Sequence, residues 1–180
     1  MENNGIGKLF EGVDRWTVLI YVLIVLVGFV AILSASYEEG AESIFSFSHF
    51  YMKQLVWMGI SFAVAVVVLL VDASIYHKWA YLFYVLGLLT LVAALLFGRE
   101  VNGAKAWFEI GSVRIQPVEF AKIATALALA RVMSSSSFSI NRAGDLFKVG
   151  LVICLPLLII VMQNDTGSGI VLVSLLFVLY

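Results

Sequence analysis

Two charged side chains interrupt a stretch of chain that is otherwise fit to cross a lipid bilayer. Glu119 and Lys122 lie in Pro117–Ala130, where every other residue is apolar or small and uncharged. A charged side chain at membrane depth costs about 2.5–3.5 kcal/mol on insertion scales, so such residues persist where they pair or look onto a wet cavity. Their i, i+3 spacing puts both on one helical face within pairing distance. The chemistry open to them is to line a site for a polar or charged group. The competing reading is that both reach the interface, because Glu119 is two residues into the span and Lys122 has a long apolar stem. The start of this helix is well specified. Pro117 suits a first turn, where its missing N–H is no loss. Gln116 before it is biased towards extended backbone, and Glu119 lies near the positive end of the helix dipole.

Two neighbouring segments carry further polar chemistry. Asn102–Ile115 mixes a turn signal, Asn102-Gly103, with basic and aromatic residues. Trp107, Phe108, Ile110 and Ile115 read as a short amphipathic segment on the membrane surface. Lys105 and Arg114 are suited to an anionic group such as phosphate, and equally to ordinary lipid headgroups. In Gln163–Gly169, Asp165 or Thr166 can cap the helix that follows. Alternatively, Asp165 faces the same side as Glu119 and Lys122. No metal-ligand set and no cofactor motif is identified, and a divalent cation is left open. Cys154 has no partner cysteine and reads as a small buried apolar side chain.

The elements that must position these residues follow from composition. Of 180 residues, 62% are hydrophobic and 13% are charged, against about 25% charged in a soluble domain. Mean hydropathy is +1.04. A net charge of −1 offers no basic field for nucleic acid. A bilayer core of about 30 Å needs about 20 apolar residues. Uncharged or nearly uncharged runs at 16–37, 54–71, 79–98, 117–130 and 149–164 predict five spans, and 166–180 begins a sixth. Fifteen residues make only about 22 Å of helix, so a fragment of a longer protein is expected. The fold class is all-α, a polytopic transmembrane helix bundle. Residues 1–15 form a polar N-terminal segment, and the first apolar run shows no evident cleavage site, so it reads as a retained helix and not a signal peptide. Ser134–Ser137 is low-complexity and reads as a flexible part of its loop. Lys8, Arg15, Lys78, Arg131, Arg142 and Lys148 fall on one side, and Lys53, Arg99, Lys105 and Arg114 on the other. The excess predicts a cytoplasmic N-terminus, with 99–116 and the turn at Asp165 facing outward.

Taken together, these segments resemble the SEDS family (shape, elongation, division and sporulation). The family pattern stands here as Asn102-Gly103-Ala104-Lys105-Ala106-Trp107, then Gly111-Ser112-Val113-Arg114-Ile115-Gln116-Pro117-Val118-Glu119-Phe120-Ala121-Lys122, and as Gln163-Asn164-Asp165-Thr166-Gly167-Ser168. The departures are Ala106 for Arg or Ser, Val118 for Ser and Asn164 for Pro, none of which removes an ionisable group. Gln163 resembles the elongation branch more than the division branch, where Glu is common.

The resemblance implies about ten membrane helices and a peptidoglycan glycosyltransferase that polymerises lipid II in a bacterial cell membrane. The sugar 4-hydroxyl of one lipid II would attack the anomeric carbon of the lipid-linked chain, with an acid as general base and the diphosphate lipid leaving. Basic groups would stabilise the charge developing on the diphosphate. The family's essential acid lies in a loop after the seventh helix, so no catalytic residue is expected in these 180, nor polymerase activity from them alone. Glu119, Lys122 and Asp165 are carried over as residues of the central cavity. Lys105, Trp107, Arg114 and Gln116 are carried over as substrate-binding candidates. The implied partner is a class B penicillin-binding protein, the cross-linking transpeptidase. A lipid flippase and a non-catalytic scaffold of the wall machinery are the competing functions. A flippase often shows inverted repeats, and none is evident here. A scaffold would tolerate neutral residues at 119 and 122.

Overall fold

The computed structural model describes residues 14–36, 50–111 and 113–179. A loop is expected at 38–53 between the first two spans; most of it and most of the polar N-terminal segment lie outside these residues, while 50–53 form the first turn of a helix. Six helices and one small sheet follow in order: α1 (Arg15–Ser36), α2 (Phe50–Leu70), α3 (Ala73–Phe97), β1 (Arg99–Val101), β2 (Ala104–Ile110), β3 (Val113–Ile115), α4 (Pro117–Met133), α5 (Ala143–Met162) and α6 (Thr166–Ser174). A 3-10 turn, Leu175–Leu179, ends the described chain. Among the described residues, α1, α2, α3 and α5 are long and apolar enough to cross a membrane. Helix α4 has 17 residues and, at 1.5 Å each, covers about 25 Å.

The chain divides into two compact units, Met1–Asp72 and Ala73–Tyr180. The first holds α1 and α2 in contact. Asp14 leads into α1, accepting bonds from the Trp16 amide at 3.0 Å and the Thr17 hydroxyl at 2.6 Å. These bonds hold its carboxyl below the usual aspartate range, with the Thr17 hydroxyl contributing most.

The second unit is a bundle of α3, α4 and α5, with α6 against α5. Lipid tails are as apolar as leucine, so helices in a bilayer associate through close packing of small residues. Helix α3 buries Ala80, Gly87, Leu91 and Ala94, and α4 buries Ala121, Ala124 and Ala128. A Cβ added at Gly87 would sit 3.4 Å from both the Ala121 Cα and the Ala124 Cβ, so the two backbones approach closely there. Beyond this seam, Leu91, Val118, Leu129, Val149, Ile153, Ile160 and Leu172 form the core.

The helices run past the spans read from charge. Helix α3 begins at Ala73 rather than at Trp79, and α5 at Ala143 rather than Val149. Backbone hydrogen bonding continues through headgroup depth, whereas absence of charge marks only the hydrocarbon. The serine run is a hydrogen-bonded turn: the Ser134 hydroxyl donates to Arg131 O at 3.0 Å, and the Ser135 and Ser137 hydroxyls lie 3.0 Å apart. Cys154 is exposed rather than buried. On α5 it falls between the buried pair Val152–Ile153 and Pro156, on the outer side of the helix.

Pro156 poses a problem inside α5. Proline has no N–H, so the carbonyl one turn earlier, Val152 O, loses its intrahelical donor. In hydrocarbon an unpartnered carbonyl costs several kcal/mol. The Tyr84 hydroxyl of α3 donates to Val152 O at 2.9 Å and supplies the missing bond. Tyr84→Phe should therefore destabilise the protein by about 1–3 kcal/mol. In a Pro156→Ala background, where residue 156 regains its N–H, the same change should have a much smaller effect. Thermal unfolding in detergent of the two single variants and the double variant checks this coupling.

Candidate functional site

The sheet stands where a surface segment was expected. In 99–115 the alternation of Ala104, Ala106 and Phe108 with Lys105, Trp107 and Glu109 has period two, which is a strand period and not a helical one. Asn102 and Gly103 take φ of 53° and 83°, as a two-residue hairpin turn between antiparallel strands requires. Gly111 lies at φ 64° in the second turn. The correction to the amphipathic surface reading is thus a three-stranded antiparallel sheet in the order β1-β2-β3. Gly98 makes the corner from α3 into β1, because a Cβ there would collide with the Ala94 carbonyl.

Directly opposed residues of an antiparallel pair share a face. The register pairs Arg99 with Trp107, Glu100 with Lys105 and Glu109 with Arg114, and a bulge lies between Arg99 and Glu100. One face therefore gathers the charges and Trp107. The other carries Ala104, Ala106 and Phe108, with Ala106 buried, and β2 rests on α3 and α4.

Three hydrogen bonds fasten this sheet to the helix ends, and a fourth ties the end of α5 to α3. The Lys105 amide donates to Gln163 O at 3.0 Å. The Lys105 ammonium donates to Leu96 O at 3.2 Å, satisfying one of the last carbonyls of α3 with a cation, the charge a helix C-terminus favours. The Asn164 amide donates to Gly103 O at 3.0 Å, and the buried Gln163 amide to Leu91 O at 2.8 Å. Gln163 Oε1 is buried without a partner. Asn164 has φ 60°, and α5 ends through it with two backward bonds, Asn164 N to Val161 O at 3.0 Å and Asp165 N to Ile160 O at 3.2 Å. Asparagine tolerates this left-handed position and proline cannot reach it. The departure at 164 is thus built into the turn.

Asp165 caps α6. Its carboxylate accepts from the Ser168 amide at 3.1 Å and the Ser168 hydroxyl at 2.8 Å. It also accepts from the Gln116 side chain at 2.9 Å, joining the start of α6 to the start of α4. Of the two sequence alternatives for Asp165, capping is the role the structure shows, and the Gln116 bond sets it beside the start of α4. Three residues into α4, the Lys122 ammonium lies 2.8 Å from a Glu119 carboxylate oxygen, with side chains 22% and 57% exposed. Ile123, Ala126 and Ala130 continue the exposed face inward from this pair.

The structure does not bring all the candidates together. Lys105 and Arg114 lie near opposite ends of β2, since Lys105 is four residues from the partner of Arg114. That separation is roughly 13 Å at 3.3 Å per residue. Arg114 instead meets Glu109 at 2.8 Å, and Arg99 meets the same carboxylate at 2.6 Å. Trp107 is half-buried opposite Arg99. Sequence reasoning missed Arg99, Glu109 and the buried tether of Gln163. The period-two pattern flanking Asn102-Gly103 was the signal for the first two, and nothing local signalled the third.

The sequence profile of the FtsW/RodA/SpoVE cell cycle proteins matches residues 14–180. The chain belongs to this family. It is 38% identical over 136 residues to the peptidoglycan glycosyltransferase RodA of Treponema pallidum, covering 72% of this chain and 30% of that protein. It is 28% identical over 173 residues to the probable peptidoglycan glycosyltransferase FtsW of Thiomicrospira cyclica, covering 93% and 45%. The crystal structure of RodA from Thermus thermophilus superposes with a TM-score of 0.77 at 29% identity, covering 89% of this chain and 50% of that one. A chain from a peptidoglycan synthase complex that coordinates polymerization and crosslinking superposes with a TM-score of 0.76 at 28% identity, covering 90% and 45%. The chain thus spans half or less of the length of these relatives. Family and helices together make it a multi-pass membrane protein.

The capping geometry sets a test for Asp165. Asp165→Asn keeps an acceptor oxygen for the Ser168 amide and should change stability by less than about 0.5 kcal/mol. Asp165→Ala removes the cap and the Gln116 partner and should cost about 1–2 kcal/mol, read as a lower melting temperature in detergent.

Proposed function

We propose that this chain forms part of a peptidoglycan glycosyltransferase that polymerises lipid II in a bacterial cell membrane, with its N-terminus in the cytoplasm. The observation that carries the reading is the Glu119–Lys122 ion pair, set one turn inside a membrane helix at the end of the bundle that bears the sheet and Asp165. The relatives' names supply the reaction, and the pair supplies a place for it. An ion pair at this depth, with the carboxylate more than half exposed, fits a hydrated chamber better than contact with acyl chains.

In this reading Lys122 presents positive charge to a diphosphate, and Glu119 holds the ammonium in position. Charge developing on the leaving diphosphate is stabilised by cations already in place, with no reorganisation during the reaction. Gln116 and Asp165 fix the α4 entrance relative to α6, and Trp107 shapes the groove above it. Lys105 acts through the sheet, since its ammonium is engaged by α3. None of these residues is assigned as the general base. Gln163 and the 38% identity to a RodA favour the elongation branch, with a class B penicillin-binding protein as partner.

The test uses the full-length gene product. Lys122→Ala and Glu119→Ala should each lower lipid II polymerisation by at least about tenfold, on the scale of one lost charge contact in a transition state. Membrane insertion and melting temperature should be retained. Glycan strands of normal length and rate from both variants would refute the assignment. Loss of lipid II transport across vesicles, with polymerisation intact, would favour the flippase reading.

A further inference from the structure

Two guanidinium groups share one carboxylate on the exposed face of the sheet. Arg99 Nη1 lies 2.6 Å from one Glu109 oxygen and Arg114 Nε lies 2.8 Å from the other, with the arginine side chains 75% and 60% exposed and Glu109 20% exposed. The three strands fix this arrangement. Arg114 faces Glu109 across β2 and β3, while Arg99 faces Trp107, two residues along β2. The cluster carries a net charge of +1. Each arginine has five N–H donors, and each gives one of them to Glu109. The remaining donors of both forks flank the one carboxylate, and Arg99 pairs in register with Trp107.

We propose that Arg99 and Arg114 form a phosphate-binding clamp in which Glu109 is a built-in stand-in for the ligand. The exchange is favourable on magnitudes. Exposed ion pairs contribute about 0–1 kcal/mol each, so releasing Glu109 from one or both arginines is cheap. Planar guanidinium groups bind phosphate bidentately through charge-assisted bonds that are roughly twice as strong as neutral ones. A diphosphate carries more charge than the carboxylate it displaces and more oxygens to fill the free donors. Glu109, anchored from the β2 backbone, keeps the arginines preorganised and lowers their affinity for weaker anions. The sheet lies at a helix end of the bundle, so two phosphate sources are in reach: a lipid-linked diphosphate and the headgroup of an anionic phospholipid. The first rests on the polymerase reading, whereas the clamp itself does not.

The test is titration of inorganic pyrophosphate into the purified full-length protein in zwitterionic nanodiscs, followed by isothermal calorimetry. Arg99→Gln and Arg114→Gln should each weaken binding by about tenfold, as for one lost charge-assisted contact. Glu109→Gln should tighten it several-fold, because the competing carboxylate is gone. This opposition of sign separates a clamp from a merely structural triad, whose three variants would all weaken binding together. Arg99→Lys, which keeps the charge and loses the fork, should fall between wild type and Arg99→Gln, and melting temperatures verify folding. Weaker binding in Glu109→Gln, no response to Arg99→Gln, or no pyrophosphate binding by the wild type would each overturn the proposal. Competition then identifies the source. Displacement by undecaprenyl diphosphate but not by phosphatidylglycerol assigns the lipid-linked diphosphate, and displacement by both assigns a general headgroup site. The second outcome leaves the clamp standing and removes its link to polymerisation.

Discussion

A polar group placed among apolar helices must find its partner within the protein, and the second unit of this chain is organised around that demand. Pro156 orphans the Val152 carbonyl, and Tyr84 answers it from the neighbouring helix. The Leu96 carbonyl near the end of α3 is met by the Lys105 ammonium, and the Leu91 carbonyl receives the Gln163 amide. Gly87, Ala121 and Ala124 bring α3 and α4 close, while these bonds tie α3 to α5 and to the sheet. Small residues set the approach, and polar residues fix the register. Neither would hold α3, α4 and α5 in one arrangement alone, because apolar side chains gain little by leaving lipid for one another.

The same demand explains how the sheet is mounted. Three strands of three to seven residues are too small to be stable in isolation. Here the apolar face is covered by the helices and the β2 edge is tied to Gln163. The turn at Asn102-Gly103 is pinned by Asn164. The charged face is thereby left outward, with Arg99, Glu109 and Arg114 locked in register. At the same end of the bundle, Gln116 and Asp165 couple the starts of α4 and α6, and α4 presents Glu119 and Lys122 one turn further in. A rigid frame and an exposed charged surface are both products of one set of capping bonds.

Much of this was legible in the sequence because it depends on short-range rules. The four helices long and apolar enough to cross a membrane lie over uncharged runs, the α4 start followed from Gln116-Pro117, and the Glu119–Lys122 contact from i, i+3 geometry. The cap at Asp165 followed from its place before a helix. Three features were not legible. The sheet was obscured because its residues are those of an interfacial segment as well, and only the period-two alternation separates the two. Helix ends at Ala73 and Ala143 were missed because charge reports membrane depth and not backbone hydrogen bonding. The Gln163–Leu91 and Tyr84–Val152 bonds join residues far apart in sequence, where no local pattern can signal them. For Tyr84 a partial signal existed, since Pro156 within an apolar helix guarantees an orphaned carbonyl somewhere opposite.

The central functional claim is that the α4 face bearing Glu119 and Lys122 looks onto water rather than acyl chains. Ala126 lies seven residues beyond Glu119, on the same face and about 10 Å deeper, and it is exposed. The most direct measurement is labelling of Ala126→Cys by a membrane-impermeant maleimide in the full-length protein in intact vesicles, with Cys154 and every other native cysteine replaced by serine. A hydrated chamber predicts labelling from the side that bears the sheet, slowed by a substrate analogue carrying a diphosphate. No labelling until detergent is added would place this face against lipid and contradict the claim.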